Sequence, residues 1–139
     1  MILLDTNVLS ELMKPRPSEA VTGWLDAQHA LSVYTSSITQ AEILHGLTLL
    51  PAGRRRASLE AAVETMFSAT FGGRVLAFDS DAAIAYARIA ARRRRIGRPI
   101  SQADAQIAAI ALSRGASLAT RDSSGFEGCE ITLVDPWKG

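Results

Sequence analysis

Cysteine is almost missing from this chain: among 139 residues there is one, Cys129. A single thiol excludes an intrachain disulfide framework and a cysteine-rich zinc site, and it fits a reducing cytoplasm. No apolar run approaches the ~20 residues of a membrane helix. The N-terminus has no charged segment followed by an apolar one, so neither a span nor a secretory signal is expected. Aromatic residues make up only 6%, which argues against a stacking platform for single-stranded bases. Lysine is scarce too: of 15 basic residues only Lys14 and Lys138 are lysines. Neither G-x-x-x-x-G-K-[ST] nor G-x-G-x-x-G occurs, so a nucleotide-cradling loop is unsupported. Nothing offers a Ser-His-Asp or Cys-His nucleophile.

What is present is an alternation of short apolar runs and longer helical ones. Met1–Leu4 suits a buried strand, followed by a helix to about Lys14 that Pro15 and Pro17 stop. A second helix begins at Ser18 and turns Val21, Trp24 and Leu25 inward. Leu31–Thr35 is a second strand. In the helix after it, Ser37 and Gln40 form an expected capping box. Arg54 to about Phe71 is amphipathic, and Gly72-Gly73 ends it. Arg74–Phe78 is a third strand, and Asp79 or Ser80 caps the helix running through Arg95. Ser101 to Arg114 is a last helix with Gly115 beyond it. Ser117–Thr120 and Ile131–Val134 complete five strands. Strands separated by helices throughout imply an α/β fold, a parallel sheet covered on both faces, in one domain spanning 1–139.

In such a sheet, ligands bind beyond the carboxyl ends of the strands near a topological switch point. Asp5 follows the first strand and Asp122 follows the Ser117–Thr120 strand. Glu42 and Asp104 lie early in two helices, so all four carboxylates can hang over one edge. Each has a structural alternative. Asp5 can cap a helix, Asp104 completes an S-x-x-D box with Ser101, Asp122 suits an Asx turn, and Glu42 favours a helix N-terminus. Together they would repel one another by about 4 kcal/mol per close pair at an effective dielectric near 20, and a cation would relieve it. An all-oxygen set selects Mg²⁺ or Mn²⁺, ions that activate water and stabilise phosphoryl oxygens, as in metal-dependent nucleases and phosphatases. Receiver domains and haloacid-dehalogenase-type phosphatases also begin with a strand ending in Asp. Both need a late lysine, however, and Lys138 is next to last. His29 and His45 are expected to be ordinary surface or core histidines.

The arginines gather in two clusters, Arg54–Arg56 and Arg92–Arg95 with Arg98. Either is a solvated helix face or a surface for a nucleic-acid backbone or an acidic protein.

Laid out this way, the chain resembles the PIN-domain ribonucleases, in particular VapC/FitB-like toxins of bacterial toxin-antitoxin pairs. The likeness rests on LLDTN at Leu3–Asn7, T-x-x-E-x-x-x-G at Thr39–Gly46, R-P-I-S-x-x-D-x-x-I-A-A at Arg98–Ala109 and L-A-T-R-D…F-E-G at Leu118–Gly128. It implies a PIN-like three-layer fold with a five-stranded parallel sheet. It further implies a Mg²⁺- or Mn²⁺-dependent endoribonuclease, a homodimer, and a cognate antitoxin that inserts a segment into the active-site groove. DNA would be met only through the antitoxin. On this resemblance Asp5, Glu42, Asp104 and Asp122 would be metal ligands and catalytic groups. Thr6, Asn7 and Thr120 would orient them or touch a phosphate oxygen, and Arg92, Arg93, Arg98 and Arg121 would contact RNA or antitoxin. The antitoxin is expected to cover Leu9, Leu12, Met13 and Leu47. Many relatives carry an acid where this chain has Gly125. The alternatives are a non-catalytic PIN-like module that only holds a partner, and a metal-dependent DNA nuclease.

Overall fold

The structure is a computed structural model that describes residues 1–138; Gly139, the last residue of the expected domain, lies outside them. Five strands, β1 (Ile2–Leu4), β2 (Val33–Ser36), β3 (Val75–Leu76), β4 (Ser117–Ala119) and β5 (Leu133–Val134), form one sheet in the order β3-β2-β1-β4-β5, with every pairing parallel. Helices α1 (Thr6–Leu12), α2 (Glu19–Asp26), α3 (Ser37–Thr48), α4 (Arg54–Thr65), α5 (Ser80–Arg95) and α6 (Gln102–Arg114) make the connections. The three-layer PIN-like arrangement expected from the sequence is the one observed. Among the described residues no helix is long and apolar enough to cross a membrane.

Side chains of successive strand residues point to opposite faces, and this divides the core in two. Leu3 and Leu118 join Ala85 and Ile89 of α5 and Ile107 and Ala111 of α6 on one face. Leu4 and Ala119 join Val8 and Leu9 of α1, Val21 of α2, Ile43 and Leu47 of α3 and Val63 of α4 on the other. Leu9 and Leu47, expected under an antitoxin, are therefore already buried within the chain. Met13 is half-buried against α4, where it lines a small cavity with Leu59, Val63 and Met66. The helices that carry these residues, α1 and α3, are covered by α2 and α4.

Three other local expectations shift. α3 is capped by Ser36, whose Oγ accepts from the Thr39 N–H at 3.1 Å, in place of the Ser37 capping box. The helix from Arg54 changes at Met66 into one wider π turn, Met66–Thr70, which sends Phe67 and Phe71 into the core. β3 is shorter than Arg74–Phe78 because β2 ends at Ser36, leaving only Thr35↔Val75 and Ser36↔Leu76 to pair. Phe78 instead packs edge-on against Tyr86 of α5. Gly115 closes α6 at φ +65, the left-handed conformation a side chain would strain.

Candidate active site

β1 is the strand from which the sheet grows both ways, and the crevice between the ends of β1 and β4 is its switch point. Asp5 sits there. Its backbone N–H donates to Ala119 O at 2.9 Å, continuing the ladder, and its side chain caps α1 by accepting from the Thr6 N–H at 2.8 Å. The other carboxylate oxygen accepts from Thr120 Oγ1 at 2.8 Å. Asp5 is thus a helix cap that also stands at the switch point, so the capping reading leaves it free to serve there.

A groove of about 480 Å³ opens over this point. Asp5, Glu42 and Asp104 line it, together with Thr6, Asn7 and Ser10. Thr6 Oγ1 lies 2.7 Å from Glu42 Oε1, to which it donates, and 3.0 Å from the buried Thr39 hydroxyl. Ser101 Oγ caps α6 by accepting from the Asp104 N–H at 3.2 Å. The reciprocal bond of a capping box is not made: among the described residues the Asp104 carboxylate accepts no hydrogen bond from the protein, and it faces the groove.

Burial pushes the Asp5 carboxyl up to about 6, with the negative charges of Asp104 and Glu42 adding to the shift. The Thr120 and Thr6 hydrogen bonds oppose it without cancelling it. A buried carboxylate whose proton affinity is raised, with two further carboxylates beside it on a polar groove, forms an oxygen-rich, undercompensated pocket, and that donor set fits a hard divalent cation. Among the described residues, no three Asp, Glu, His or Cys side chains are gathered tightly enough to hold an ion as they stand. Bringing them together would need side-chain rotation at exposed Glu42 or half-buried Asp104.

Asp122 is not on the groove wall. Its Oδ1 accepts from the Gly125 N–H at 3.1 Å and from Ser124 Oγ at 3.3 Å, the Asx turn weighed from the sequence. It joins the site through Thr120, whose Oγ1 accepts from the Asp122 N–H at 3.1 Å. Strand β4 ends at Ala119, so Thr120 takes the place nearest Asp5 and Asp122 falls beyond the bend. Asn7 lies between them, with Nδ2 3.5 Å from Thr120 Oγ1 and Oδ1 3.5 Å from the Arg121 N–H.

The arginines divide. Arg121 lines the groove. Arg93 is corrected as a contact residue: it is 4% exposed, and its guanidinium donates to Arg98 O and Glu127 O, each at 2.6 Å. Arg92 pairs with Glu130 and Arg98 with Glu127, away from the groove lining. Four groove residues are not among those the sequence pointed to: Ser10, Glu11, Lys14 and Trp137. The Glu11 carboxyl is held below its usual range by hydrogen bonds from Lys14 and from the Ser18 N–H. Its only sequence signal is the Glu-x-x-Lys spacing, which runs from the last turn of α1 into the bend after it.

Comparison with known proteins agrees with this fold. The PIN domain family model matches residues 2–127. The chain is 44% identical to VapC ribonuclease Y4jK of Sinorhizobium fredii over 99% of each chain, and 40% identical to toxin FitB of Neisseria gonorrhoeae over 99% of each. Among solved structures, FitAcB from Neisseria gonorrhoeae superposes with a TM-score of 0.92 at 40% identity over 99% of both chains. DNA-bound VapBC from Salmonella typhimurium does so with 0.78 at 28% identity over 97% of both. The chain belongs to the PIN-domain family, within its branch of VapC- and FitB-like toxins.

Proposed function

We propose that this chain is the toxin of a toxin-antitoxin pair, an endoribonuclease that hydrolyses RNA phosphodiester bonds with Mg²⁺ or Mn²⁺. It would act in the cytoplasm as a homodimer of one PIN domain, residues 1–139. The observation that carries this reading is Asp5, a buried carboxylate whose proton affinity is raised while Asp104 and Glu42 share its groove. Such a pocket is short of positive charge, and an ion bound there would stabilise charge on a phosphoryl oxygen and make water a better nucleophile. Asp5, Asp104 and Glu42 would hold it, with Asp122 contributing after its turn opens. Thr120 and Thr6 fix the Asp5 carboxylate from either side, and Thr6 aims Glu42. Asn7 ties the two loops together.

The resemblance to FitAcB and VapBC complexes supports a cognate antitoxin for this chain, with DNA met through that partner. A basic side chain from the antitoxin placed among Asp5, Glu42 and Asp104 would replace the ion's charge and block substrate.

The test is cleavage of single-stranded RNA in Mg²⁺ or Mn²⁺ against EDTA, with thermal melts alongside. Cleavage only with the ion is expected. An ion at about 100 times its Kd also adds about 2.7 kcal/mol to stability. No cleavage and an unchanged melt across millimolar Mn²⁺ would contradict the assignment.

A further inference from the structure

Among the described residues, the groove wall carries two cations, Lys14 and Arg121, against the carboxylates of Asp5, Glu11, Glu42 and Asp104. Lys14 is committed, since its Nζ donates to Glu11 at 2.9 Å. Arg121 forms no ion pair with any described carboxylate, although it is exposed. Instead its guanidinium carbon lies 4.9 Å from the centre of the Trp137 ring. Trp137 is itself anchored. It is half-buried against the core on the α1–α4 side of the sheet, in a short turn after β5 whose N–H donates to Asp135 Oδ1 at 2.9 Å. An indole under a guanidinium attracts it electrostatically and restricts its rotamers, while leaving N–H donors free for a planar acceptor.

We infer that Arg121, seated on Trp137, is a subsite for the phosphate next to the scissile one in single-stranded RNA. The inference rests on the ribonuclease reading above. An acidic groove repels every phosphate of its substrate, and an ion held by the carboxylates attracts only the one being cut. The neighbouring phosphate needs a fixed cation of its own, and Arg121 is the cation on the wall that forms no ion pair with a described carboxylate, its charge reaching Glu11 only as a minor influence. It stands in the chain between Thr120, which orients Asp5, and Asp122. Its N–H also faces Asn7. Its position is therefore tied to the same frame as the reacting centre. Arg121 contacts substrate in this scheme; Trp137 is a positioning residue that acts through it.

Wild type, Arg121→Gln, Trp137→Phe and Trp137→Leu should be compared on RNA oligonucleotides carrying either a natural phosphodiester or a neutral methylphosphonate beside the cut. With wild type, the neutral linkage should raise KM about tenfold, the size expected for one charge-assisted contact. Arg121→Gln should raise KM to the same extent with kcat little changed. It should be indifferent to the methylphosphonate and should lower the salt dependence of log KM by about 0.7, the slope of one single-strand phosphate contact. Trp137→Phe should keep wild-type behaviour and Trp137→Leu should follow Arg121→Gln, with thermal melts establishing that each variant is folded. Wild-type KM and salt slope in Arg121→Gln, or an equal methylphosphonate effect in both proteins, overturns the subsite while leaving cleavage by wild type intact. A wild type that cuts no RNA removes the subsite together with the reading beneath it.

Discussion

Around the C-terminal end of α5, the arginines Arg88, Arg92, Arg93 and Arg98 meet their compensation within the fold, while Arg94 and Arg95 stand exposed to solvent. Arg92 and Arg88 converge on Glu130 at 2.8 and 3.3 Å, Arg98 reaches Glu127 at 2.5 Å, and Arg93 is buried with its N–H groups on two backbone carbonyls. At the ends of β1 and β4 the opposite holds: among the described residues, Asp5 is 5% exposed with no cation bonded to it, and the Asp104 carboxylate accepts nothing from the protein. The first region is far denser in charge along the chain, yet the second has the unmet demand. Density of charge marks a surface; absence of compensation marks a site.

Substitutions can break this contrast, and the largest effect is expected at Asp104. Asp104→Asn keeps the Ser101 cap, which uses only the backbone N–H of residue 104. It should cost at least about 100-fold in cleavage, more than the loss of a residue that merely supports a metal ligand. Arg92→Ala removes an exposed pair worth about 0.2–1 kcal/mol and should leave cleavage within about twofold of wild type. Equal losses in a single-turnover assay would erase the distinction between the regions.

Next in size is a pH effect on stability. The Asp5 carboxyl lies near 6 in the folded chain against 3.8 for the unperturbed group, so the native state holds its proton more tightly. Stability from this group is therefore greatest below 3.8, falls as pH rises between 3.8 and about 6, and is lost above, by about 3 kcal/mol in all. Urea unfolding in EDTA from pH 4 to 7 should show that decline, and Asp5→Asn should flatten it. Smallest is Arg93→Met. It leaves Arg98 O and Glu127 O without their donor and should cost about 2 kcal/mol by denaturant unfolding. The kcat of the folded protein should stay unchanged.

Much of this was legible in the residues because the signals are local. Ser101 and Gly115 bound α6, Asp79 caps α5, and apolar runs between helices give the strand count. Asp5, Glu42 and Asp104 could be placed at one sheet edge because each follows a strand or opens a helix there. What escaped depends on distant partners. Ser36 and Ser37 offer chemically identical caps, and the end of the β2 ladder chooses between them. Trp137 reaches the groove only because β5 lies beside β4. Arg93 left a trace: it extends the buried stripe Ala82, Ala85, Ile89, a helical spacing that marks it as inward-facing.

Gly125 has an outcome for how this sequence can drift. A Cβ built there would stand 2.3 Å from Asp122 Oδ2 and 2.8 Å from its Cγ. Any side chain at 125 must therefore displace the Asp122 carboxylate, and that movement strains the Asx turn made through its Oδ1. The two positions form an epistatic pair in which the order of replacement matters. A small residue arriving first at 122 opens the space that an acid at 125 could later fill, whereas an amide there removes the charge and keeps the clash. An acid arriving first at 125 meets the carboxylate already there, like charge against like charge, inside a gap too short for either.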